Sequence, residues 1–431
     1  MKSIAITALA LLISGCATRG PMELSCKGWK ENFVQTLPPS ELVQTIQSGG
    51  GVEKSTRNEP ANIFDGNGFP ADGNRDKGSF YLGSALLLSG GGQWGAFGTG
   101  VIDQLACPSA DHCSAYEQQP KPPFDNLSIV TGVSTGGLQA LFVAAGDYKG
   151  LVDNYTIVDE ADIVDRDAVP FAALTGSVAG LGPLKTRIEE ALCNNGNPED
   201  GCPLIERLKK SERIALIGFV DGSTGQFQYV NTNWIAKESE TLGDAQQCLT
   251  AAALSSAAMP TFFQQIKVEG QTYFDGGVRK SLFDVRLVND LAAKRNKVQK
   301  GLGAVPDESS VYVIRNGPTV PLKGHDLAVD GSLDALSAAL KAYSTIVNEI
   351  EVQSIATLRL ERPNGGINLI SADGFGKPFQ RPDAELTGSG CTKLDDGTMF
   401  DRKFMACLMD FGRHKAKNGE WIPLPEVAAV K

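Results

Sequence analysis

IVTGVSTGGLQALFVAAG, residues 129–146, runs from an apolar, strand-like segment into residues with helical spacing. The joint is Gly132-Val133-Ser134-Thr135-Gly136. In a nucleophile elbow a serine sits on a sharp strand-to-helix turn, and flanking glycines make room for the strained backbone. The helix that follows aims its first backbone N–H groups at the site. Taken alone the pattern is weak. With 48 glycines in 431 residues, about 11%, and serine at roughly 7%, chance supplies about one match in three chains of this length. The rest of the chain decides whether Ser134 has what a nucleophilic serine needs.

One need is stabilisation of the oxyanion formed in acyl transfer. ALLLSGGGQWGAFGTGVIDQLA, residues 85–106, begins as a buried strand over 85–89. Trp94, Phe97, Val101, Ile102 and Leu105 then repeat at helical spacing. Between them Gly90, Gly91 and Gly92 let the backbone approach a substrate closely and present its N–H groups. The same residues, Gly90 to Gly95, also fit the dinucleotide fingerprint G-x-G-x-x-G. That motif requires a second strand ending in an acidic residue about 20 residues on. Here the chain enters CPSADHCSAYEQQPKPP, residues 107–123, which does not form a central strand.

The other need is a base. The chain has three histidines, His112, His325 and His414, and none directly follows a clear strand. An acid is the alternative. In TYFDGGV, residues 272–278, Asp275 ends a short strand and precedes two glycines that let the chain turn sharply. In an apolar cleft its carboxylate can accept a serine proton directly. The plain alternative is an ordinary Asp-Gly turn.

SGGGQWG, GVSTG and DGG therefore stand in one order, with LSSAAMPTFF, residues 254–263, before the last. This combination resembles the patatin-like phospholipases over roughly residues 82–320. The resemblance implies a three-layer α/β/α fold with a mainly parallel sheet and a Ser–Asp dyad without histidine. Ser134 would be the nucleophile, Asp275 the general base, and Gly90, Gly91 and Gly92 the oxyanion loop. It implies hydrolysis of lipid acyl esters through an acyl-serine, with no metal or cofactor. Two positions depart from the family pattern. Trp94 stands where the family usually has Lys or Arg. VRKSLF, residues 278–283, stands where it often continues into an Asn-Pro element. Two other readings remain open: an acyltransferase, and a catalytically silent lipoprotein that uses the fold for binding.

The remaining sequence places the domain. An apolar fraction of 42% and a charged fraction of 21% are those of a globular protein. A net charge of −10 argues against nucleic acid as a partner and gives no general attraction to anionic lipid. IAITALALLI, residues 4–13, is too short to span a bilayer and suits a signal peptide. It ends ISGC, which resembles the lipobox of bacterial lipoproteins. That resemblance implies acylation of Cys16 and anchoring in the bacterial envelope, at the outer membrane.

Eight further cysteines agree with export. Cys107/Cys113, Cys193/Cys202 and Cys391/Cys407 lie close in sequence, while Cys26 and Cys248 have no local partner. No pair has zinc-ligand spacing with a nearby histidine. The Asp72, Asn74, Asp76 series lacks the glycine and glutamate of a calcium loop. The organisation expected is a signal peptide at 1–15, a tether and extension at 16–81, a patatin-like domain at 82–360, and a C-terminal extension at 361–431.

Overall fold

A computed structural model describes residues 20–37, 84–108, 120–157, 159–166, 177, 179–284, 310–319, 335–361, 366–380, 390–394 and 398–424. Cys16, His112, Cys113, His325 and the calcium-like stretch lie outside these residues, as do the signal peptide and most of the tether.

Strands that read as unbroken apolar runs are covered on both faces. In β3 (Ser84–Leu88), Leu86 and Leu88 enter one core layer while Ala85 and Leu87 enter the other. β1 (Met22–Leu24) and β2 (Val34–Thr36) precede it. α1 (Gly95–Ala106) then leads to β4 (Leu127–Val133), α2 (Thr135–Ala145) and α3 (Tyr148–Tyr155). The short pair β5 (Asp165–Arg166) and β6 (Ala179–Gly180) is followed by α4 (Gly182–Leu192) and α5 (Pro203–Lys210). The hairpin β7 (Ile214–Asp221) and β8 (Phe227–Asn231) turns at DGSTG, as its sequence predicts. α6 (Thr232–Glu238) and the small-residue helix α7 (Leu242–Ala257) lead to β9 (Ile266–Val268) and β10 (Gln271–Asp275). β11 (Val311–Arg315), α8 (Ala335–Glu361), β12 (Ile367–Ser371), α9 (Arg402–Lys417) and β13 (Ile422–Pro423) follow.

The sheet order is β1-β9-β10-β7-β4-β3-β11-β12-β13, with β8 and β2 joined to β7. Its centre, β7-β4-β3-β11-β12, is parallel. α1, α2, α7 and α9 bury their apolar faces in the larger core layer, and Ile355 and Leu358 of α8 pack into the other. This is the three-layer α/β/α arrangement that the sequence implies. The segment after residue 361 is part of it: β12 extends the parallel sheet and α9 packs along α1.

Cys193–Cys202 and Cys391–Cys407 close local loops. Cys26 pairs with Cys248 across 222 residues, tying the N-terminal segment to α7. A cross-link of such long separation removes much freedom from the unfolded chain, so Cys26→Ser with Cys248→Ser is expected to cost about 3–5 kcal/mol in urea unfolding.

In parallel α/β sheets ligands bind beyond the carboxyl ends of the strands. β3 and β4 are neighbours, with Leu88 level with Gly132. The glycine-rich loop and Ser134 therefore emerge side by side at that end.

Candidate active site

The two glycines around Ser134 are sterically required. A Cβ on Gly132 would lie 2.0 Å from Gly136 O, and one on Gly136 would lie 2.3 Å from Leu88 O. Between them Ser134 has φ 56° and ψ −127°, a conformation that non-glycine residues rarely adopt. The surroundings hold it there. Its N–H donates to Ser256 Oγ at 2.8 Å, and that hydroxyl donates to Gly218 O at 2.6 Å. Tyr155 OH donates to Thr135 O at 2.9 Å and pins the next residue.

Register explains how Asp275 reaches this serine. Val133 is level with Gly218 of β7, and Phe219, one residue further, is level with Asp275 of antiparallel β10. The chain then turns back across β7. A Cβ on Gly276 would be 2.9 Å from both Gly218 O and Val133 Cγ1, so only glycine fits the turn without displacement. Asp275 accepts a hydrogen bond from Gly277 N–H at 2.7 Å, and the Ser134 hydroxyl is close enough to favour the charged form of its carboxylate. Both residues are buried, Ser134 at 7% and Asp275 at 4% exposure. Burial pushes the Asp275 carboxyl up from 3.8 to about 7, against the opposing pull of the Ser134 hydroxyl and the Gly277 N–H.

The three glycines divide by role. The Gly90 N–H donates to Ser281 Oγ at 3.2 Å, so it faces away from an incoming oxyanion. All three glycines belong to the loop expected from the sequence, and this bond sets Gly90 apart from the other two. Gly90 instead permits close approach, since a Cβ there would lie 3.3 Å from Ser134 Cβ. Gly91 and Gly92 line the cavity beside Ser134, and their N–H groups have no acceptor among the described residues. Their φ values of 152° and 55° suit glycine. Asn316, just beyond β11, braces the loop through its own N–H to Ser89 Oγ at 2.9 Å and its amide to Ser89 O at 2.7 Å.

Ser134 opens into an apolar cavity of about 220 Å³. Leu138, Phe142, Ile188 and Met259 are among its walls, and Met399, Phe400 and Met405 of the C-terminal segment are others. That segment is tied to the site at two points. Gln93 Oε1 accepts from Asp401 N–H at 3.0 Å, and Glu160 accepts from the N–H groups of Met399 and Phe400 at 2.6 and 3.2 Å. Trp94, in place of a basic residue, packs edge-on against Phe375 and Phe404 with ring centres 4.9 and 5.1 Å away. It binds the glycine-rich loop to the C-terminal segment through aromatic packing, where a cation would have carried charge. His414 lies on α9 beside Asn418 and the Phe379 ring and is not among the residues that line the cavity at Ser134. Sequence reading missed Ser281, Asn316 and the three C-terminal wall residues. Local spacing carries no signal for contacts made across 190 residues or more.

Residues 86–284 match the sequence model of the patatin-like phospholipase family. That stretch, which runs from β3 to β10 and holds both Ser134 and Asp275, is therefore similar to a patatin-like phospholipase domain. Among solved structures it is similar to VipD from Legionella pneumophila, at 13% identity and a TM-score of 0.36, over 77% of this chain and 67% of that one. No curated protein sequence matches it.

Proposed function

We propose that this protein is a lipid acyl hydrolase that works through a Ser134–Asp275 dyad. The observation that carries the reading is the Ser134 hydroxyl against a buried carboxylate, at the edge of an apolar cavity. A carboxyl with a pKa near 7 is matched to general-base work at neutral pH. In the reaction Asp275 takes the Ser134 proton as Oγ attacks the ester carbonyl. The N–H groups of Gly91 and Gly92 stabilise the oxyanion, and the α2 N-terminus adds its dipole. The C–O bond to the alcohol breaks, Asp275 returns the proton to the leaving alcohol, and an acyl-serine remains. Water, deprotonated by Asp275, then attacks the acyl carbon, the bond to Ser134 Oγ breaks, and Asp275 returns the proton to Oγ as the fatty acid leaves.

The apolar walls favour an acyl chain over a polar substituent. Anchoring through acylated Cys16 on the bacterial envelope, at the outer membrane, is part of this proposal and rests on the ISGC junction. Hydrolysis of a ladder of acyl esters, wild type beside Ser134→Ala, tests the activity. Ser134-dependent turnover supports it, and turnover that survives Ser134→Ala rejects it. Phe400 narrows the cavity from the C-terminal side. Phe400→Ala is expected to move the preferred acyl chain two or more carbons longer, at about 0.8 kcal/mol, or fourfold, per added methylene.

A further inference from the structure

A charged pair lies buried behind the glycine-rich loop, where the proposed chemistry does not use it. Arg315 and Glu351 have side-chain exposures of 1% and 8%. Arg315 Nε and Nη2 donate to Glu351 Oε2 at 3.2 and 3.0 Å, and Nη2 also donates to Asn348 Oδ1 at 2.7 Å. Burying two charges costs several kcal/mol each, and well-packed apolar residues are often as stabilising or more so. The other oxygen of Glu351 leads toward the active site. Ser281 Oγ donates to Glu351 Oε1 at 3.0 Å, and the same Oγ accepts the Gly90 N–H at 3.2 Å. Ser281 is fully buried, and its own N–H donates to Ser354 Oγ of α8 at 3.3 Å.

This chain of bonds has a direction. A hydroxyl that gives its proton to a carboxylate becomes a better acceptor, so the Glu351 charge strengthens the hold of Ser281 on the Gly90 N–H. That bond holds the N–H side of the Ser89–Gly90 peptide, whose carbonyl side the Asn316 amide holds. The next two peptides, which carry the Gly91 and Gly92 N–H groups, follow from it. Without the bond the loop is held only from the Ser89 side, by Asn316 and by the Ser89 hydroxyl on Gly90 O, and its glycines leave the donors freer to turn from Ser134. Glu351 also lies near enough for its charge to raise the Asp275 pKa, so both halves of the site sense it.

We infer that Ser281 and Glu351, backed by Arg315, are positioning residues for the oxyanion loop, holding the Gly90 N–H so that Gly91 and Gly92 present theirs beside Ser134. Glu351 and Arg315 lie outside the residues that match the family model, so α8 and β11 supply this part of the site. The inference rests on the Ser134 reading above.

The test uses the full chain and two readouts. One is kcat and KM for a chromogenic acyl ester. The other is inhibition by an acyl trifluoromethyl ketone. Its carbonyl carbon bonds to Ser134 Oγ, the serine proton passes to Asp275, and the ketone oxygen becomes an oxyanion. Ser281→Ala is expected to lower kcat about 10- to 100-fold with KM within about twofold, and to weaken the ketone by a similar factor. Ser281→Thr, which keeps the hydroxyl, is expected to restore most of both. Glu351→Gln keeps an acceptor without the charge, is expected to fall between, and serves where Ser281→Ala fails to fold. Ketone affinity at the wild-type level in Ser281→Ala, or in Glu351→Gln where that variant is used, overturns the inference. So does a loss in which KM rises while kcat holds. If wild-type turnover survives Ser134→Ala, the function itself is wrong. Ser134-dependent turnover with unchanged ketone binding rejects the positioning role alone.

Discussion

Asp275→Asn is expected to abolish most hydrolysis and, above pH 7, to make the protein more stable. The loss follows from removing the base, worth about 10²- to 10⁴-fold. The gain follows from linkage. Burial favours the neutral acid, so the folded protein binds the Asp275 proton more tightly than the unfolded chain, whose carboxyl titrates near 3.8. The folded state is least penalised below that value. Stability is lost as pH rises from about 4 to about 7, and above 7 the full cost of a buried carboxylate is present. A shift of roughly three units corresponds to about 4 kcal/mol as an upper bound, so Asp275→Asn is expected to gain about 1–4 kcal/mol at pH 8. Near pH 4 it gains little. Urea unfolding of both proteins at pH 4, 6 and 8 measures the difference. A gap that does not grow with pH means the carboxyl titrates normally. The wild-type rate rises through about pH 7 by the same account, because the carboxylate is the active form.

The second large effect is at Ser134. Ser134→Ala is expected to lower turnover by about 10⁴- to 10⁶-fold, leaving only what the oxyanion donors and binding supply. Ser134→Gly is expected to be equally inactive and more stable than the alanine variant by about 1 kcal/mol, because φ 56°, ψ −127° strains any residue with a Cβ. Equal melting temperatures for the two would show that the elbow stores no strain.

The parts of this site that a sequence reader finds are those fixed by local geometry. Gly132 and Gly136 are legible because the elbow forbids a side chain on either side of Ser134. Asp275 is legible because the glycines after it permit a turn that other residues would block. The division of labour among Gly90, Gly91 and Gly92 is not legible, because it depends on Ser281, which lies 191 residues from Gly90. Cys26 and Cys248 show no local partner in the sequence because their bridge depends on distant segments packing together, with β1 set beside β9. The C-terminal segment showed no chemistry in sequence because it contributes walls. Met399, Phe400 and Met405 are ordinary apolar residues until Gln93 and Glu160 seat them on the cavity. Trp94 is the instructive departure. A missing cation points to a missing interaction, and the structure supplies aromatic packing in its place.

The most direct measurement is labelling by an acyl-chain fluorophosphonate, with the modified residue located by mass spectrometry and the rate compared between wild type and Asp275→Asn. The dyad account predicts one label, on Ser134, forming about 10²-fold or more slowly in Asp275→Asn. A label on another residue, or labelling of Ser134 at the wild-type rate without the Asp275 carboxylate, would contradict it.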